Sequence, residues 1–118
     1  MRVRSDPGLS VRAKFFRGLA DPARLALLLA LRAGEKTVGT LSEETGLSQS
    51  NVSNHLACLK DCGLVLNRQE WRHVHYRIAD EKILSLMDFA DAVVFDNAQR
   101  IADCVNYCAV EDRQKGGA

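Results

Sequence analysis

Apolar side chains recur at helical spacing over most of the 118-residue chain. The pattern predicts short helices over about residues 10–20, 22–33, 37–45 and 49–62. The second of these segments is apolar nearly all round, which predicts a helix in the buried centre of the domain.

Capping residues mark the boundaries of these helices. Asp21 is a favourable N-cap, Pro22 suits the first helical position, and Gly34 lies just past the predicted end of the second helix. Gly46 ends the third helix, and Ser48 caps the fourth after a tight turn. Two short helices joined in this way are typical of a helix-turn-helix.

The next segment, LVLNRQEWRHVHYRIA, alternates with period two. Val74, Tyr76 and Ile78 share one face, which predicts a β-hairpin with a charged tip. Asp80 then caps a long helix that runs to about residue 108. The near-heptad apolar stripe of this helix consists of Ile83, Met87, Ala90, Val94, Ile101, Val105 and Cys108.

The element order α-α-α-α-β-β-α predicts a mainly α winged helix-turn-helix fold. We expect this domain over residues 10–110, with disordered termini at 1–9 and 111–118. The longest apolar run, Leu25–Leu31, is too short to span a bilayer, and no signal-peptide core follows the basic N-terminus. A cytoplasmic protein with no membrane partner is therefore expected.

Charge is divided unevenly between the two parts of the chain. Residues 1–79 contain 12 Lys and Arg against 7 Asp and Glu, whereas residues 80–118 contain 4 against 8. A basic front part and an acidic rear part suit a protein that meets a polyanion with one part only, although chance scatter can give the same pattern.

The outer face of the fourth helix has side chains suited to reading DNA. A helical wheel places Val52, Leu56 and Leu59 on a core stripe. The opposite face carries small hydroxyl and amide groups that can approach base edges, and the first turn of the helix favours phosphate. A solvated face without a partner is the alternative, but such faces usually carry more Lys and Glu. The candidate DNA contacts on this helix are Gln49, Ser50, Ser53 and Asn54.

The hairpin tip supplies two further candidate DNA contacts. Arg72 and His73 lie between the predicted strands, where a wing can reach backbone phosphate or the minor groove. An ordinary charged turn is the alternative. His73 and His75 also form an H-x-H pair, which by itself is weak evidence for a metal site.

The four cysteines form two pairs with the same four-residue step, Cys58 with Cys62 and Cys104 with Cys108. Residues four apart on a helix have Cβ atoms about 5–6 Å apart, so both thiolates of a pair can reach one soft metal ion. Such a site needs three or four donors, which the second pair could complete. Core filling is the alternative, and spacing alone does not separate metal binding from redox sensing.

Three segments, LADPARLALLLAL, LSEETGLSQSNVSNHLACLKDCGLV and RHVHYRIAD, resemble the ArsR/SmtB family of metal-responsive bacterial repressors. The similarity spans about residues 12–95. It implies a homodimer that binds double-stranded operator DNA when metal-free and releases it when metal binds. The stretch CLKDCG resembles the cadmium- and lead-sensing branch, in which two cysteines of the DNA-reading helix join a third from the partner subunit.

Carried onto this chain, the resemblance implies the metal ligands Cys58 and Cys62, completed by Cys104, with Cys108 as a fourth donor or a substitute. Cd(II) or Pb(II) is then the expected effector, and Zn(II) also accepts thiolates. The chain departs from other branches, because TVGTLSE lacks the cysteine motif that many relatives carry on the third helix, and residues 80–100 contain no histidine.

Three alternatives stay open. A repressor of the same fold could respond to thiol oxidation or persulfides, it could sense arsenite, or the domain could bind a protein instead of DNA. An enzyme is not expected, because the sequence shows no paired carboxylates in a pocket-like context, no nucleophile elbow and no glycine-rich phosphate loop.

Overall fold

The computed structural model describes residues 7–104. Its element order confirms the predicted one and adds one short strand. Residues 1–6 and 105–118 lie outside the described residues. They include most of the two termini predicted to be disordered, 1–9 and 111–118, and also Val105 and Cys108 of the predicted long helix. Residues 7–9, predicted to be part of the disordered N-terminus, form the start of the first helix. The elements are α1 (Pro7–Leu19), α2 (Pro22–Leu31), β1 (Lys36–Thr37), α3 (Val38–Thr45), α4 (Gln49–Asp61), β2 (Val65–Glu70), β3 (His73–Ile78) and α5 (Glu81–Ala102).

The core lies where α2, α3 and α4 pack against one another and against the sheet. Aliphatic side chains alone fill it, and each loses its contact with water. Removing this much apolar surface from water stabilises the arrangement and leaves little freedom for any of the three helices to rotate. The fully buried side chains are Leu27, Leu28, Leu31, Leu41, Val52, Leu56, Leu59 and Val65.

The prediction that α2 is buried nearly all round is wrong for one of its sides. Leu25 and Leu29, one helical turn apart, are 41% and 48% exposed. The N-cap prediction is confirmed, because the side chain of Asp21 accepts a hydrogen bond from the backbone N–H of Ala23 at 2.8 Å. The helix ends at Leu31, earlier than the predicted end just before Gly34. A turn follows, in which Gly34 has φ 137°.

The sheet is antiparallel, in the order β1-β3-β2. Strands β2 and β3 form the predicted hairpin, with Val65 opposite Ile78 at its base and Glu70 opposite His73 at its tip. Strand β1 was not predicted, because two extended residues are too few to show a period. It pairs with β3 through Lys36 opposite Tyr76.

Helix α5 begins as predicted after Asp80, whose side chain accepts a hydrogen bond from the backbone N–H of Lys82 at 2.8 Å. It ends at Ala102 rather than near residue 108, and Asn97 departs from helical geometry with φ −123°. The chain divides after Leu84 into two compact units. Among residues 7–104, no helix combines the length and the apolar character needed to cross a membrane.

Ion pairs around Arg68 brace the hairpin. The guanidinium donates to the Glu35 carboxylate from Nε at 3.0 Å and from Nη2 at 2.6 Å, and Nη1 donates to Glu70. These hydrogen bonds and the positive charge of Arg68 lower the pKa of both carboxyl groups. The carboxylates in turn raise the pKa of Arg68 above its ordinary value.

Leu56→Ala should lower the free energy of unfolding by about 2–5 kcal/mol, because the side chain is fully buried at the middle of α4. Urea denaturation at a fixed protein concentration measures the change. Ser53→Ala, on the exposed side of the same helix, should change it by no more than about 0.5 kcal/mol. Equal effects of the two substitutions would contradict the packing described above.

Arg68→Gln should flatten the acid limb of the stability curve. The pKa values of Glu35 and Glu70 are lowered from 4.5 in the folded protein, so their stabilising effect is fully present above that pH. It is lost as pH falls through the lowered folded values. Unfolding across a pH series should therefore show a steeper acid loss for wild type than for the variant.

Arg72→Gln removes the same charge from the same hairpin and is the matched control for that experiment. Its free energy of unfolding should fall with pH as steeply as that of wild type. Equal acid limbs for wild type and Arg68→Gln would show that the ion pairs of Arg68 contribute nothing to folding.

Candidate nucleic-acid interface and thiol site

The turn between α3 and α4 sets the position of the candidate reading helix. Gly46 ends α3 in the left-handed region at φ 76°, as its place in the sequence predicts. The hydroxyl of Ser42 donates to the carbonyl oxygen of Leu47 at 2.6 Å, which closes the turn. Ser48 then caps α4, because its side-chain oxygen accepts the backbone N–H of Asn51 at 3.2 Å. The predicted helix-turn-helix is confirmed.

Helix α4 presents the predicted face outward. Val52, Leu56 and Leu59 are buried, which confirms the core stripe of the helical wheel. Because that stripe fixes the rotation of the helix, the polar face on the other side is open to a partner. All four candidate DNA contacts of this helix are exposed: Gln49, Ser50, Ser53 and Asn54.

A cleft of about 560 Å³ joins the start of α4 to the hairpin. Gln49 and Ser53 of α4 line it together with Arg72 and His73 of the hairpin. His73 is the first residue of β3 rather than part of the turn. The fold thus brings together four candidate contacts that the sequence had placed on separate elements.

The start of α3 also lines this cleft, a contribution that sequence analysis missed. Thr37 caps α3, since its Oγ1 accepts the backbone N–H of Thr40 at 3.2 Å. Both threonines line the cleft beside Gly39, and Glu43 adds one acidic group. Threonine at a helix start indicates a cap, but no local signal shows that β1 and β3 pair and bring this cap to the hairpin.

Arg24 connects α1 and α2 to the middle of α4. Its Nε donates to Nδ1 of His55 at 3.3 Å, and its Nη1 donates to the carbonyl oxygen of Gly18 at 3.3 Å. His55 lies one helical turn before Cys58, so the bridge reaches the part of α4 that carries the thiols.

The first cysteine pair lies at the end of α4. The backbone N–H of Cys62 donates to the carbonyl oxygen of Cys58 at 3.1 Å, which confirms that the two residues are one helical turn apart. Both thiols are free and exposed, so neither fills the core. Cys104 is exposed as well, whereas Cys108 lies outside the described residues.

The described part of one chain does not assemble a complete metal site. Within residues 7–104, no group of three or more His, Cys, Asp or Glu side chains could hold a metal ion. His73 and His75 have ring centroids 6.4 Å apart and gain no third ligand there. Cys58 and Cys62 fit a soft ion as two accessible donors, and any further donors must come from elsewhere.

Known sequences match this chain over most of its length. Residues 21–66 match the model of the arsR family of bacterial regulatory proteins. A probable mercury resistance operon repressor of Streptomyces lividans is 40% identical over 103 residues, which are 87% of this chain and 82% of the relative. The regulator CmtR of Mycobacterium tuberculosis is 47% identical over 74 residues, 63% of each chain.

Solved structures confirm the predicted winged helix-turn-helix fold. The crystal structure of Rv0081 of Mycobacterium tuberculosis has a TM-score of 0.75 and 34% identity, and the match covers 86% of this chain and 99% of that one. The solution structure of a homodimeric winged helix-turn-helix DNA-binding domain of Mycobacterium bovis has a TM-score of 0.73 and 30% identity, and covers 85% and 93%. The chain therefore belongs to the arsR family of bacterial regulatory proteins, which are DNA-binding transcriptional regulators and not enzymes.

Proposed function

We propose that this protein is a homodimeric repressor that releases its operator DNA when a soft metal ion binds cysteine thiolates. One observation carries the proposal: the same helix, α4, exposes a small polar face near its start and two thiols at its end. From Gln49 to Cys62 the helix rises only about 20 Å. The name of a probable mercury resistance operon repressor among its relatives supports a metal effector.

DNA binding would use the exposed face of α4 and the hairpin as one surface. In the major groove, the amides of Gln49 and Asn54 have the donor and acceptor pair that recognises adenine. The hydroxyls of Ser50 and Ser53 can donate to or accept from base edges. Arg72 would neutralise phosphate from the wing. Two copies of α4 in a dimer would lie about 34–36 Å apart, one turn of the duplex.

Exposed apolar side chains support the dimer. Each compact unit exposes large aliphatic or aromatic side chains, and exposed apolar surface of this kind can serve as an interaction site. A second copy of the chain would bury them, and the acidic residues after position 80 would keep this part away from DNA. The exposed apolar residues that support pairing are Val11, Phe16, Leu25, Leu29, Phe89, Val93, Val94, Phe95 and Ile101.

Cys58 and Cys62 would hold the effector, with Cys104 or Cys108 of either subunit completing the donor set. A bound soft ion would supply a rigid cross-link between thiolates. Cd(II) or Pb(II) is the proposed effector, and Zn(II), Hg(II) and arsenite also accept sulfur. The thiolate pair would restrain the end of α4, so the reading face at its start would be displaced from the groove. Coupling of this kind is typically about 1–3 kcal/mol.

Thiol oxidation is the second candidate signal, because Cys58 and Cys62 are both open to solvent. A cysteine pair on one straight helix is poorly placed for a mutual disulfide, so oxidation would have to link this pair to another thiol. In either case the protein would act in the cytoplasm, where a bacterial regulator meets its operator.

Cys58→Ser and Cys62→Ser should each abolish metal-induced release while metal-free affinity for the promoter duplex stays within about threefold of wild type. The assay is fluorescence anisotropy with DNA from upstream of the protein's own coding sequence, under strict reduction. Cd(II) should give wild type a thiolate ultraviolet band and weaken its binding about 5- to 150-fold. The Cys104→Ser and Cys108→Ser variants show which thiol completes the set.

Two outcomes of that titration would redirect the proposal. Release that survives in both α4 variants would remove Cys58 and Cys62 from the sensor. The absence of a thiolate band, together with loss of DNA binding on oxidation, would favour the redox signal instead.

Asn54→Ala should weaken binding to the promoter duplex by about 1–3 kcal/mol and leave binding to random duplex unchanged, because a base contact contributes specificity. Asn51→Ala, the same change on another flank of α4, should have less than a threefold effect. Anisotropy titrations with both duplexes make the comparison. If the two asparagine variants lose the same affinity for both duplexes, the assignment of Asn54 to base reading is wrong.

Arg72→Gln should weaken binding to both duplexes. It should also lower the slope of log affinity against log salt concentration by about one, because it removes one phosphate contact. The control is Arg12→Gln, which removes the same charge at an exposed position on α1. It should leave the slope unchanged. An unchanged slope for Arg72→Gln would show that this side chain does not meet phosphate.

A further inference from the structure

Trp71 lies at the tip of the hairpin. Both its backbone conformation and its exposure to water are unfavourable for a large aromatic side chain. Its backbone has φ +59°, and it is the one non-glycine residue with positive φ among residues 7–104. Its side chain is 90% exposed. Glycine adopts this backbone conformation readily, whereas a bulky aromatic residue there is an outlier.

The fold itself makes no use of the indole ring. The hairpin is closed by the pairing of β2 with β3 and braced by the bonds of Arg68 to Glu35 and Glu70, all of which form without that ring. A strained and exposed residue on a braced turn is therefore better explained by a partner than by folding.

The surroundings of the tip favour a polyanionic partner. Arg72 follows Trp71 directly, and Arg72 and His73 line the same cleft as Gln49 and Ser53 of α4. On the other side of Trp71, the Glu70 carboxylate is occupied by Arg68 and does not present an unpaired negative charge. Trp71 does not line that cleft itself, but it precedes Arg72 in the same turn, and its exposed indole is next to the proposed DNA surface.

We propose that Trp71 is a contact residue for the duplex, placing its indole against deoxyribose or a base step of the minor groove beside the groove that α4 reads. Apolar side chains inserted at base steps and aromatic rings stacked on bases are both established ways to bind DNA. This inference rests on the proposed function, and it adds an apolar contact to the polar contacts proposed for α4 and Arg72. A partner protein or a second copy of the chain is the competing occupant.

The protein reports this contact itself, because Trp71 is its only tryptophan. Saturating the full-length protein with unlabelled promoter duplex should shift the indole emission to shorter wavelength and lower its quenching by acrylamide. Parallel anisotropy with a fluorescein-labelled copy of the duplex establishes saturation. Unchanged emission and unchanged acrylamide quenching at saturation would overturn the inference.

Trp71→Gly and Trp71→Phe separate binding from folding. The glycine variant relieves the backbone strain, so its free energy of unfolding should equal or exceed that of wild type, yet its affinity for the duplex should fall about tenfold or more. The phenylalanine variant keeps an aromatic ring and should stay within about threefold of wild type. A merely structural role would change stability and leave affinity alone.

The remaining outcomes each decide a point. If wild type binds the duplex and Trp71→Gly binds it equally well, this inference fails and the proposed function stands. If Trp71→Gly keeps its DNA affinity but sediments as a monomer where wild type is a dimer, a second copy covers the indole and the inference is wrong. If wild type binds no promoter duplex, the proposed function fails and this inference fails with it.

Discussion

The burial of three side chains on one face of α4 determines the arrangement of the whole candidate site. Val52, Leu56 and Leu59 pack into the aliphatic core, and a helix anchored along one stripe cannot turn about its axis without exposing them. The rotation of α4 is thereby fixed, and with it the direction of every other side chain on that helix. The polar residues near its start and the thiols at its end are exposed because they lie on faces of α4 that do not pack into the core.

A DNA-binding regulator needs its reading element to be held firmly, and contacts at the start and the middle of α4 hold this helix. The capped turn after Gly46 holds its start, and Arg24 ties its middle to α1 and α2 through His55. The thiols lie beyond that tie, at the last turn. A ligand at Cys58 and Cys62 would act on the last turn of α4, where Leu59 is buried and the chain passes directly into β2. Under the proposed function, a displacement there would be transmitted along α4 to its polar face.

The hairpin is a second element of the candidate site that specific contacts hold in place. Its strands are short, and the position of its tip depends on Arg68, which bonds Glu35 just before β1. The pairing of β1 with β3 brings the start of α3 to the hairpin as well. The cleft that joins Arg72 and His73 to Gln49 and Ser53 is therefore a product of the sheet. Trp71 is exposed at the tip of the hairpin and directly precedes Arg72 in the chain.

The sequence by itself determined the order of the elements, the caps at Asp21 and Ser48, and the buried face of α4, because caps and periodicity are local properties. It also determined the spacing of the thiols on α4, since four residues make one turn wherever the helix lies. Only the tertiary structure decided that one side of α2 stays exposed, that β1 exists, and that Arg24 reaches His55 across 31 residues. These depend on which surfaces meet, and no period in the chain records a contact between segments that are distant in sequence.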